Sequence, residues 1–301
     1  MKKNTLQMIS FLALLIFCGC AAVETATTVA TDIAVQRGTI TKEQATSIRT
    51  GTTAVARSLE NFTPEQEYYI GRSVGAVVLT KYKALNDSKI NSYVNVLGQT
   101  LALASGSPEL FNGYHFLVLD SGDINAFATP GGHVFITRGL LRCCRTEDEL
   151  AAVLAHEIGH ILMRHGINAI QKARMAETLT VLAREGVKTY GDEELIKLSN
   201  SFGDVISDIT TTMINNGYSR TYEYQADAAA VTILRRAGYQ PGALVNMLQV
   251  MSRQIKPGGS DFAKTHPSPQ ARIAELGISA QTAQIPNIRK DRFIKAAGHL
   301  L

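Results

Sequence analysis

The sequence has little net charge, few cysteines and no long apolar run, and each of these absences excludes a class of protein. Its 301 residues carry 30 Lys and Arg against 26 Asp and Glu, which gives a net charge of +4. A balance this close to neutral provides no electrostatic basis for nucleic-acid binding, and no RNP, zinc-finger or P-loop pattern is present. Beyond the first residues, no uninterrupted apolar run is long enough to span a bilayer. The composition is that of a globular protein of one or two domains.

Only four cysteines are present, and their spacing excludes an ordinary disulfide framework. Cys18 and Cys20 lie in the N-terminal segment, whereas Cys143 and Cys144 are adjacent. Neighbouring side chains point in different directions, so the second pair is unsuited to ligate one metal. We expect one buried and one partly exposed thiol there, with a strained vicinal disulfide as the alternative.

The N-terminus has the organisation of an export signal. Two lysines precede the apolar run Met8–Phe17, which is too short to span a membrane and fits a signal-peptide core. The following "FCGC" resembles a bacterial lipobox, with Phe17 where Leu is usual. The resemblance implies acylation of Cys20 and a membrane anchor; simple secretion is the alternative. Since Ala21 follows instead of Asp, it also implies the outer membrane, on its periplasmic face.

Composition and capping signals divide the chain into four segments. We expect a signal peptide, a lipid-anchor spacer, a folded domain and a solvated basic tail over residues 1–19, 20–62, 63–280 and 281–301, respectively. The spacer is rich in Ala and Thr and is expected to be partly helical from Thr41. The domain begins where Thr63 and Gln66 form a capping box around Pro64.

Within the domain, helices surround one short group of strands. Periodicity and caps predict helices over Pro64–Ala84, Asp87–Ala104, Glu147–Gly166, Ile167–Val187, Glu193–Asn216, Ser219–Ala237, Pro241–Gln254 and Pro269–Leu276. "YHFLVLD" predicts one strand, and "INAFATPGGHVFITRG" predicts two around a Pro-Gly-Gly turn. The pattern is typical of an α+β fold that is mostly helical, with a small antiparallel or mixed sheet.

The stretch "AAVLAHEIGHILMRH" places titratable groups in the middle of an apolar helix. His156 and His160 are spaced i, i+4 and therefore lie on one face, one turn apart. Two imidazoles in this position can bind one Zn²⁺. Glu157, about 100° round the helix, is suited to act as general base on a water. Because unpaired buried polar groups cost several kcal/mol, we expect one zinc ion per chain to satisfy the histidines.

A zinc site of this type needs a third protein ligand. In one known arrangement the ligand is a His six residues after the second, but Gly166 occupies that position. His165 misses it by one residue, and at about 180° from His156 we expect it to face elsewhere. Glu223 and Asp227, spaced i, i+4 among alanines that permit close helix packing, fit a ligand and a hydrogen-bond acceptor for a ligand His. An exposed Glu–Asp pair is the alternative.

"HEIGH" followed by "YSRTYEYQAD" resembles the gluzincin metallopeptidases of the HtpX and CAAX-prenyl-endopeptidase type. "NAFATPGGHVFITRGLL" and "THPSPQARI" are similar to further motifs of that family, and the resemblance covers about Pro64–Leu276. It implies a zincin-like metallopeptidase domain with Glu157 as base and Asp227 supporting the site. The implied zinc ligands are His156, His160 and Glu223. The lack of transmembrane segments around the domain resembles the periplasmic lipoprotein branch.

Other side chains are predicted to complete the cleft. His266, in "THPSP", is a candidate donor to the tetrahedral oxyanion, with a loop His without contacts as the alternative. Arg220, one turn before Glu223, is a second candidate for this donor. The alternative is a structural ion-pair partner. The segment Gly132–Thr137 is expected to present a strand edge to an extended substrate. Asn125, the turn Pro130-Gly131-Gly132 and His133 would then border the cleft.

These features predict a lipid-anchored zinc endopeptidase of envelope protein quality control. Recognition of main chain at a strand edge suits unfolded or misassembled polypeptides, and the envelope assembly machinery is a candidate partner. One alternative is a chaperone or assembly factor that binds polypeptide at the same site with little turnover. Another is a zinc hydrolase of non-peptide amides, which no residue specifically supports.

Overall fold

The computed structural model describes residues 20–58, 61–172, 217–254, 266, 269–282 and 284–300. The predicted signal peptide, the predicted helix Glu193–Asn216 and most of the predicted helix Ile167–Val187 lie outside these residues. The chain forms two compact units, namely Met1–Asn61 with Ile170–Val205, and Phe62–Ala169 with Ile206–Leu301. No helix in the described ranges is long and apolar enough to cross a membrane.

In the described residues of the first unit, two helices pack against each other, α1 (Cys20–Gln36) and α2 (Lys42–Ser58). Arg49 of α2 donates to the hydroxyl of Thr31 of α1 at 2.6 Å. A capping box at Thr41 begins α2. The predicted spacer is therefore helical along most of its described length, and not only from Thr41.

Helices also form most of the second unit. They are α3 (Pro64–Lys81), α4 (Ser88–Ala104), α5 (Arg138–Cys143), α6 (Glu147–Leu162), α7 (Arg220–Arg236), α8 (Gly242–Gln254), α9 (Pro269–Leu276) and α10 (Asn287–Ala297). Side-chain caps from Thr63, Thr146 and Ser219 begin α3, α6 and α7, because each hydroxyl accepts from an otherwise unpaired backbone N–H. Helix α6 lies in the core, and every residue from Glu147 to Ile161 is buried.

Three short strands form one mixed sheet. β1 (His115–Leu119) is parallel to β3 (His133–Thr137), whereas β2 (Ala126–Thr129) is antiparallel to β3, which gives the order β1-β3-β2. A 3₁₀ turn over Pro130–Gly132 joins β2 to β3, and Gly131 adopts a φ of 71°, a conformation that favours glycine. The predicted strands and the mostly helical α+β class are confirmed.

The strand order corrects the predicted substrate edge. β3 is the central strand and is paired on both sides, so Gly132–Thr137 offers no free edge. The outer edge of β1 is bonded by amide side chains that α4 presents at four-residue intervals, Asn91, Asn95 and Gln99. Asn95, for example, donates to the carbonyl of Phe116 at 2.6 Å and accepts from its N–H at 3.2 Å. The outer edge of β2 is the remaining edge of this sheet.

Helix α6 ends at Leu162, four residues before the predicted stop at Gly166. Arg164 then adopts a left-handed conformation with a φ of 52°, which is uncommon for a residue with a β-carbon. Its guanidinium pairs with Glu67 and ties this turn to α3. The chain becomes helical again at His165, so this side chain does not continue the face that it would occupy on α6.

The C-terminal segment forms a docked helix, and the predicted solvated tail is wrong. Helix α10 buries Phe293 in the core. Arg289 pairs with Asp148 at 3.3 Å, and Arg292 pairs with Glu147. Both acidic residues belong to the first turn of α6. The basic residues of α10 therefore hold the N-terminus of this helix.

We expect Arg292→Ala to lower the free energy of unfolding by about 1–2 kcal/mol, because a buried carboxylate loses a charged donor. Tyr93 and Tyr239 also donate to Glu147, at 2.9 and 2.7 Å, which limits the loss. Burial alone would raise the pKa of Glu147, but Arg292 and the two tyrosines outweigh it and lower the pKa below its usual value. The contribution is therefore present at neutral pH and lost in acid.

Urea denaturation of both proteins at neutral and acid pH would measure this difference. Lys290→Ala, at an exposed position of the same helix, is the matched control and should change stability by less than about 0.5 kcal/mol. An Arg292→Ala variant as stable as the parent at neutral pH would contradict the role assigned to the pair.

Cys143 and Cys144 are both buried thiols. The expectation that one of them is partly exposed is wrong, because the end of α5 lies in the core. Cys143 contacts the carbonyl of Gly139, and Cys144 contacts the sulfur of Met247. Burial raises the pKa of Cys143 to about 11. Burial also raises the pKa of Cys144 well above its usual value, so both thiols are protonated at neutral pH.

Candidate metal centre

His156 and His160 project from one face of α6 into the interior. Their Nε2 atoms are 3.1 Å apart, and both side chains are buried. The i, i+4 spacing on a helix produces this convergence, as the sequence predicts. Two nitrogens at this distance can share one metal ion.

Helix α7 crosses α6 where neither helix carries a large side chain. At Gly159 a β-carbon would lie 2.8 Å from the carbonyl oxygen of Ala226 and 3.2 Å from the β-carbon of Ala229. Glycine therefore lets the two backbones approach closely. This close crossing, expected from the alanines of α7, brings Glu223 to both histidines.

The carboxylate of Glu223 completes a three-sided cluster. Its Oε2 lies 3.4 Å from His156 Nε2, and its Oε1 lies 3.3 Å from His160 Nε2. In a tetrahedral site with metal–ligand bonds of about 2.0–2.2 Å, the lengths typical of zinc, neighbouring ligands are about 3.4 Å apart. The separations of 3.1, 3.3 and 3.4 Å are close to that value.

Asp227, one turn after Glu223, contacts the outer nitrogen of His156. Its Oδ1 lies 2.9 Å from Nδ1, closer than the guanidinium Nη2 of Arg272 at 3.2 Å. The nearer carboxylate favours donation from His156 Nδ1, which directs the Nε2 lone pair into the cluster. This is the arrangement expected from the i, i+4 spacing of the two acidic residues.

Arg272 of α9 is a buried residue of the site that the sequence analysis missed. Its Nε donates to Asp227 at 2.8 Å, and its Nη1 lies 3.5 Å from Glu223. Burial alone would raise the pKa of Asp227, but the Arg272 guanidinium holds it well below its usual value. Two features of the sequence could have indicated Arg272. It lies in the motif "THPSPQARI", and a buried acidic pair such as Glu223 and Asp227 requires a cation.

His266 also reaches the cluster. It is buried, its Nε2 lies 3.8 Å from Glu223 Oε1, and its ring centre is 5.5 Å from that of His156. Ligand atoms of four side chains lie within 4.8 Å of one another and form a group that could hold a metal ion, namely those of His156, His160, Glu223 and His266. His266 is therefore a candidate ligand as well as the predicted oxyanion donor.

Glu157 lies beside the cluster on α6. Burial raises its pKa to about 7, although the neighbouring His156 opposes this shift. Its Oε1 and both oxygens of Glu223 are buried without a hydrogen-bond donor in the part of the chain that the structure describes. Buried polar atoms without partners are costly, and a cation would satisfy Glu223. The residues present therefore fit a metal ion.

The two histidines of α6 have opposite pKa shifts. Burial lowers the pKa of His160 to about 4. Burial and Arg272 would likewise lower the pKa of His156, but Asp227 and Glu223 outweigh them and raise it to about 9. The pKa values of the two histidines differ because of the groups that face their Nδ1 atoms. A carboxylate faces Nδ1 of His156, whereas no carboxylate faces Nδ1 of His160 among the described contacts.

The expectation that His165 faces away from the site is wrong. Its Nδ1 lies 2.9 Å from Nδ1 of His160. The expectation assumed that α6 continues to Gly166, whereas the left-handed turn at Arg164 redirects the chain. His165 therefore belongs to the surroundings of the cluster.

Other predicted site residues do not join the cluster. Arg220 is exposed at the first residue of α7, and none of the described ion pairs of the cluster includes it. Gly131 and Gly132 are buried, since a β-carbon on either would lie within about 2.5 Å of the backbone of Tyr68 or Gly113. That both glycines border the cleft stays a prediction.

The structure gives the local contacts of two further predicted border residues. His133 stacks on His115 with 5.2 Å between ring centres. Asn125 is buried, and its side chain accepts from the N–H of Ala126 at 2.9 Å. The small cavity beside His160 is lined by residues that include Ala128 and Thr129 of β2 and Pro130, which belongs to the predicted border turn.

A mixed sheet beside a buried H-E-x-x-H helix, with a glutamate from a second helix, defines a zincin-type metallopeptidase. The chain belongs to peptidase family M48, whose family model matches residues 88–278. The predicted family resemblance is confirmed at this level. The docked helix α10 follows the matched region.

Two relatives illustrate the extent of the similarity. The chain is 28% identical over 216 residues to the beta-barrel assembly-enhancing protease of Escherichia coli (strain K12), over 69% of this chain and 42% of that protein. It is 30% identical over 201 residues to the mitochondrial metalloendopeptidase OMA1 of Schizosaccharomyces pombe, over 66% of this chain and 56% of that protein. The chain thus spans about half the length of these relatives.

Proposed function

We propose that the chain is a zinc-dependent endopeptidase with one zinc ion per chain. The observation that carries this proposal is the convergence of His156, His160 and Glu223 at tetrahedral separations, with a buried carboxylate beside them. Neutral imidazoles and a carboxylate are ligands that zinc accepts, and no thiolate is among them. Three protein ligands are typical of catalytic zinc, which keeps a further position for substrate or water.

Glu157 is the proposed proton carrier. When bound, zinc supplies Lewis-acid polarisation of the scissile carbonyl and makes the attacking water more acidic. Glu157 takes the proton of this water and delivers it to the leaving amine. A carboxylate whose pKa burial raises to about 7 is suited to both steps, because it can accept and release a proton near neutral pH.

His266 is proposed as the donor to the oxyanion, and not as a permanent fourth ligand. A fourth protein ligand would close the site, whereas catalysis needs an open position. Burial holds the pKa of His266 well below its usual value, so the ring is neutral and still carries one N–H. That N–H can donate to the negative charge that develops on the carbonyl oxygen.

The outer edge of β2 is the proposed substrate edge. Thr137 N–H donates to the carbonyl of Asn125 at 3.0 Å, so alternate residues of β2 bond to β3. The carbonyl of Ala126 and the backbone groups of Ala128 then face away from β3, whereas the N–H of Ala126 donates to Asn125 Oδ1. All four residues of β2 are buried, and Ala128 lines the cavity beside His160. An extended chain added there would pair through its main chain, largely independently of sequence.

Substrates of this kind are unfolded or misassembled polypeptides, and we propose those of the cell envelope. The name of the Escherichia coli relative, a beta-barrel assembly-enhancing protease, supports this setting and the envelope assembly machinery as a partner. We also propose that Cys20 is acylated and anchors the chain at the periplasmic face of the outer membrane. Radiolabelled palmitate should label the parent and not Cys20→Ala; equal labelling would exclude this anchor.

Metal removal tests the proposed activity. The zinc-loaded chain should cleave unfolded casein, lose the activity to a chelator and regain it when zinc is added back, because the histidines and Glu223 bind metal reversibly. Digestion is followed by electrophoresis, and a magnesium addition is the control for non-specific ion effects. Cleavage that persists after complete zinc removal would exclude the proposal.

A further inference from the structure

A second imidazole lies behind one of the two ligand histidines. His165 Nδ1 is 2.9 Å from His160 Nδ1, and His165 Nε2 is 3.0 Å from the side-chain oxygen of Gln225. The His165 ring is buried and stacks nearly parallel on Tyr222, with 4.2 Å between ring centres. Both ring nitrogens and one ring face of His165 are therefore in contact.

The position of one proton between the two Nδ1 atoms decides what His160 can bind. If His160 Nδ1 carries the proton and His165 Nδ1 accepts it, His160 Nε2 presents a lone pair to the cluster. If His165 Nδ1 carries the proton, a neutral His160 has its own proton on Nε2 and cannot ligate a metal there.

Gln225 favours the first arrangement, in which His160 Nδ1 carries the proton. Its side-chain oxygen accepts from His165 Nε2–H, which leaves His165 Nδ1 as an acceptor. His160 Nδ1 must then be the donor. The lone pair on His160 Nε2 points toward His156 and Glu223, where the ligand atoms converge.

We propose that His165 is a positioning residue that fixes the metal-binding tautomer of His160, and that Gln225 fixes the tautomer of His165. This inference rests on the proposed zinc site. The partner behind a ligand histidine is commonly a carboxylate, a carbonyl or a water, and Asp227 has this position at His156.

A neutral imidazole is electrostatically more favourable than a carboxylate as the partner of His160 Nδ1. Three carboxylates, those of Glu157, Glu223 and Asp227, are already buried around the cluster. A fourth carboxylate would add a charge that is expensive to bury. The His165 ring orients the second ligand without that cost.

Two substitutions of His165 separate hydrogen bonding from packing. His165→Phe keeps a ring to stack on Tyr222 and removes the acceptor. His165→Asn loses the ring, but its Oδ1 branches from Cγ as the imidazole Nδ1 does and can accept from His160. Zinc affinity is measured by competition with a chromophoric chelator, and thermal melting checks the fold of each variant.

We expect His165→Phe to bind zinc about 10–100-fold more weakly than the parent, and His165→Asn to retain most of the affinity. A packing role predicts the reverse order, with the Asn variant the weaker. A His165→Phe variant with parental zinc affinity would overturn the inference. A His165→Asn variant that binds zinc more weakly than His165→Phe would overturn it as well.

Gln225 gives an independent test at an exposed position. Gln225→Lys offers only donors to His165 Nε2. It favours the arrangement in which His165 Nδ1 carries the proton and His160 cannot ligate, so it should weaken zinc binding. Gln225→Glu keeps an acceptor and should not. Ala228→Lys and Ala228→Glu, exposed on the same helix, supply the matched changes of charge. Effects at position 225 equal to those at 228 would count against the tautomer assignment.

The zinc readout also separates this inference from the proposed activity. If the parent binds zinc but cleaves no polypeptide, the endopeptidase proposal fails while the variants still decide the role of His165. If the parent binds no zinc at His156 and His160, the proposed function and the inference fail together.

Discussion

Glu157→Gln is expected to lower peptide hydrolysis by about two to four orders of magnitude while zinc binding is retained. Glutamine has the size of glutamate but cannot accept a proton from the attacking water. Because Glu157 lies beside the ligand atoms and is not one of them, its loss should leave the affinity for the metal largely unchanged. Initial rates on unfolded casein and the zinc content of the purified proteins are the two measurements.

Glu109→Gln makes the same chemical change at an exposed position and is the control. A zinc-loaded Glu157→Gln variant with full activity would remove the residue from the mechanism. The same variant tests the chaperone alternative. If it corrects envelope defects as well as the parent, while no longer cleaving polypeptide, binding without turnover explains the physiology better than proteolysis.

Glu223→Ala is expected to reduce zinc affinity by about two to four orders of magnitude. Zinc sites are worth about 10–16 kcal/mol in total, and three or four ligands share this free energy. The zinc-free protein should remain folded, because the substitution removes carboxylate oxygens that are buried without donors in the described structure. The thermal stabilisation that zinc gives the parent should accordingly be lost.

Calorimetry with and without zinc measures the effect, and Glu109→Ala is the matched control at an exposed position. Parental zinc affinity in Glu223→Ala would mean that the three histidines of the cluster hold the metal without the carboxylate. The assignment of Glu223 as a ligand would then be wrong.

The local features of the site could be predicted from the sequence. The spacing of His156 and His160 fixes their common face on any helix, and the alanines around Glu223 indicate a close helix crossing. The strands are likewise readable from alternation and turn residues. Each of these depends on a few neighbouring positions.

The features that were wrong or missed depend on how distant segments meet. The free edge of the sheet depends on strand order, and β3 is central although it follows β2 in sequence. His165 reaches His160 only because Arg164 takes a left-handed conformation, for which the sequence has no glycine signal. Arg272 and the helix α10 belong to segments whose partners lie far away in the chain.

The amide side chains of α4 have a consequence for what can pair with the sheet. Unpaired strand edges invite other strands, including those of aggregating polypeptides. Asn91, Asn95 and Gln99 occupy the β1 edge with side chains, so an incoming strand would have to displace them. One side of the sheet is thereby protected from edge-to-edge polymerisation.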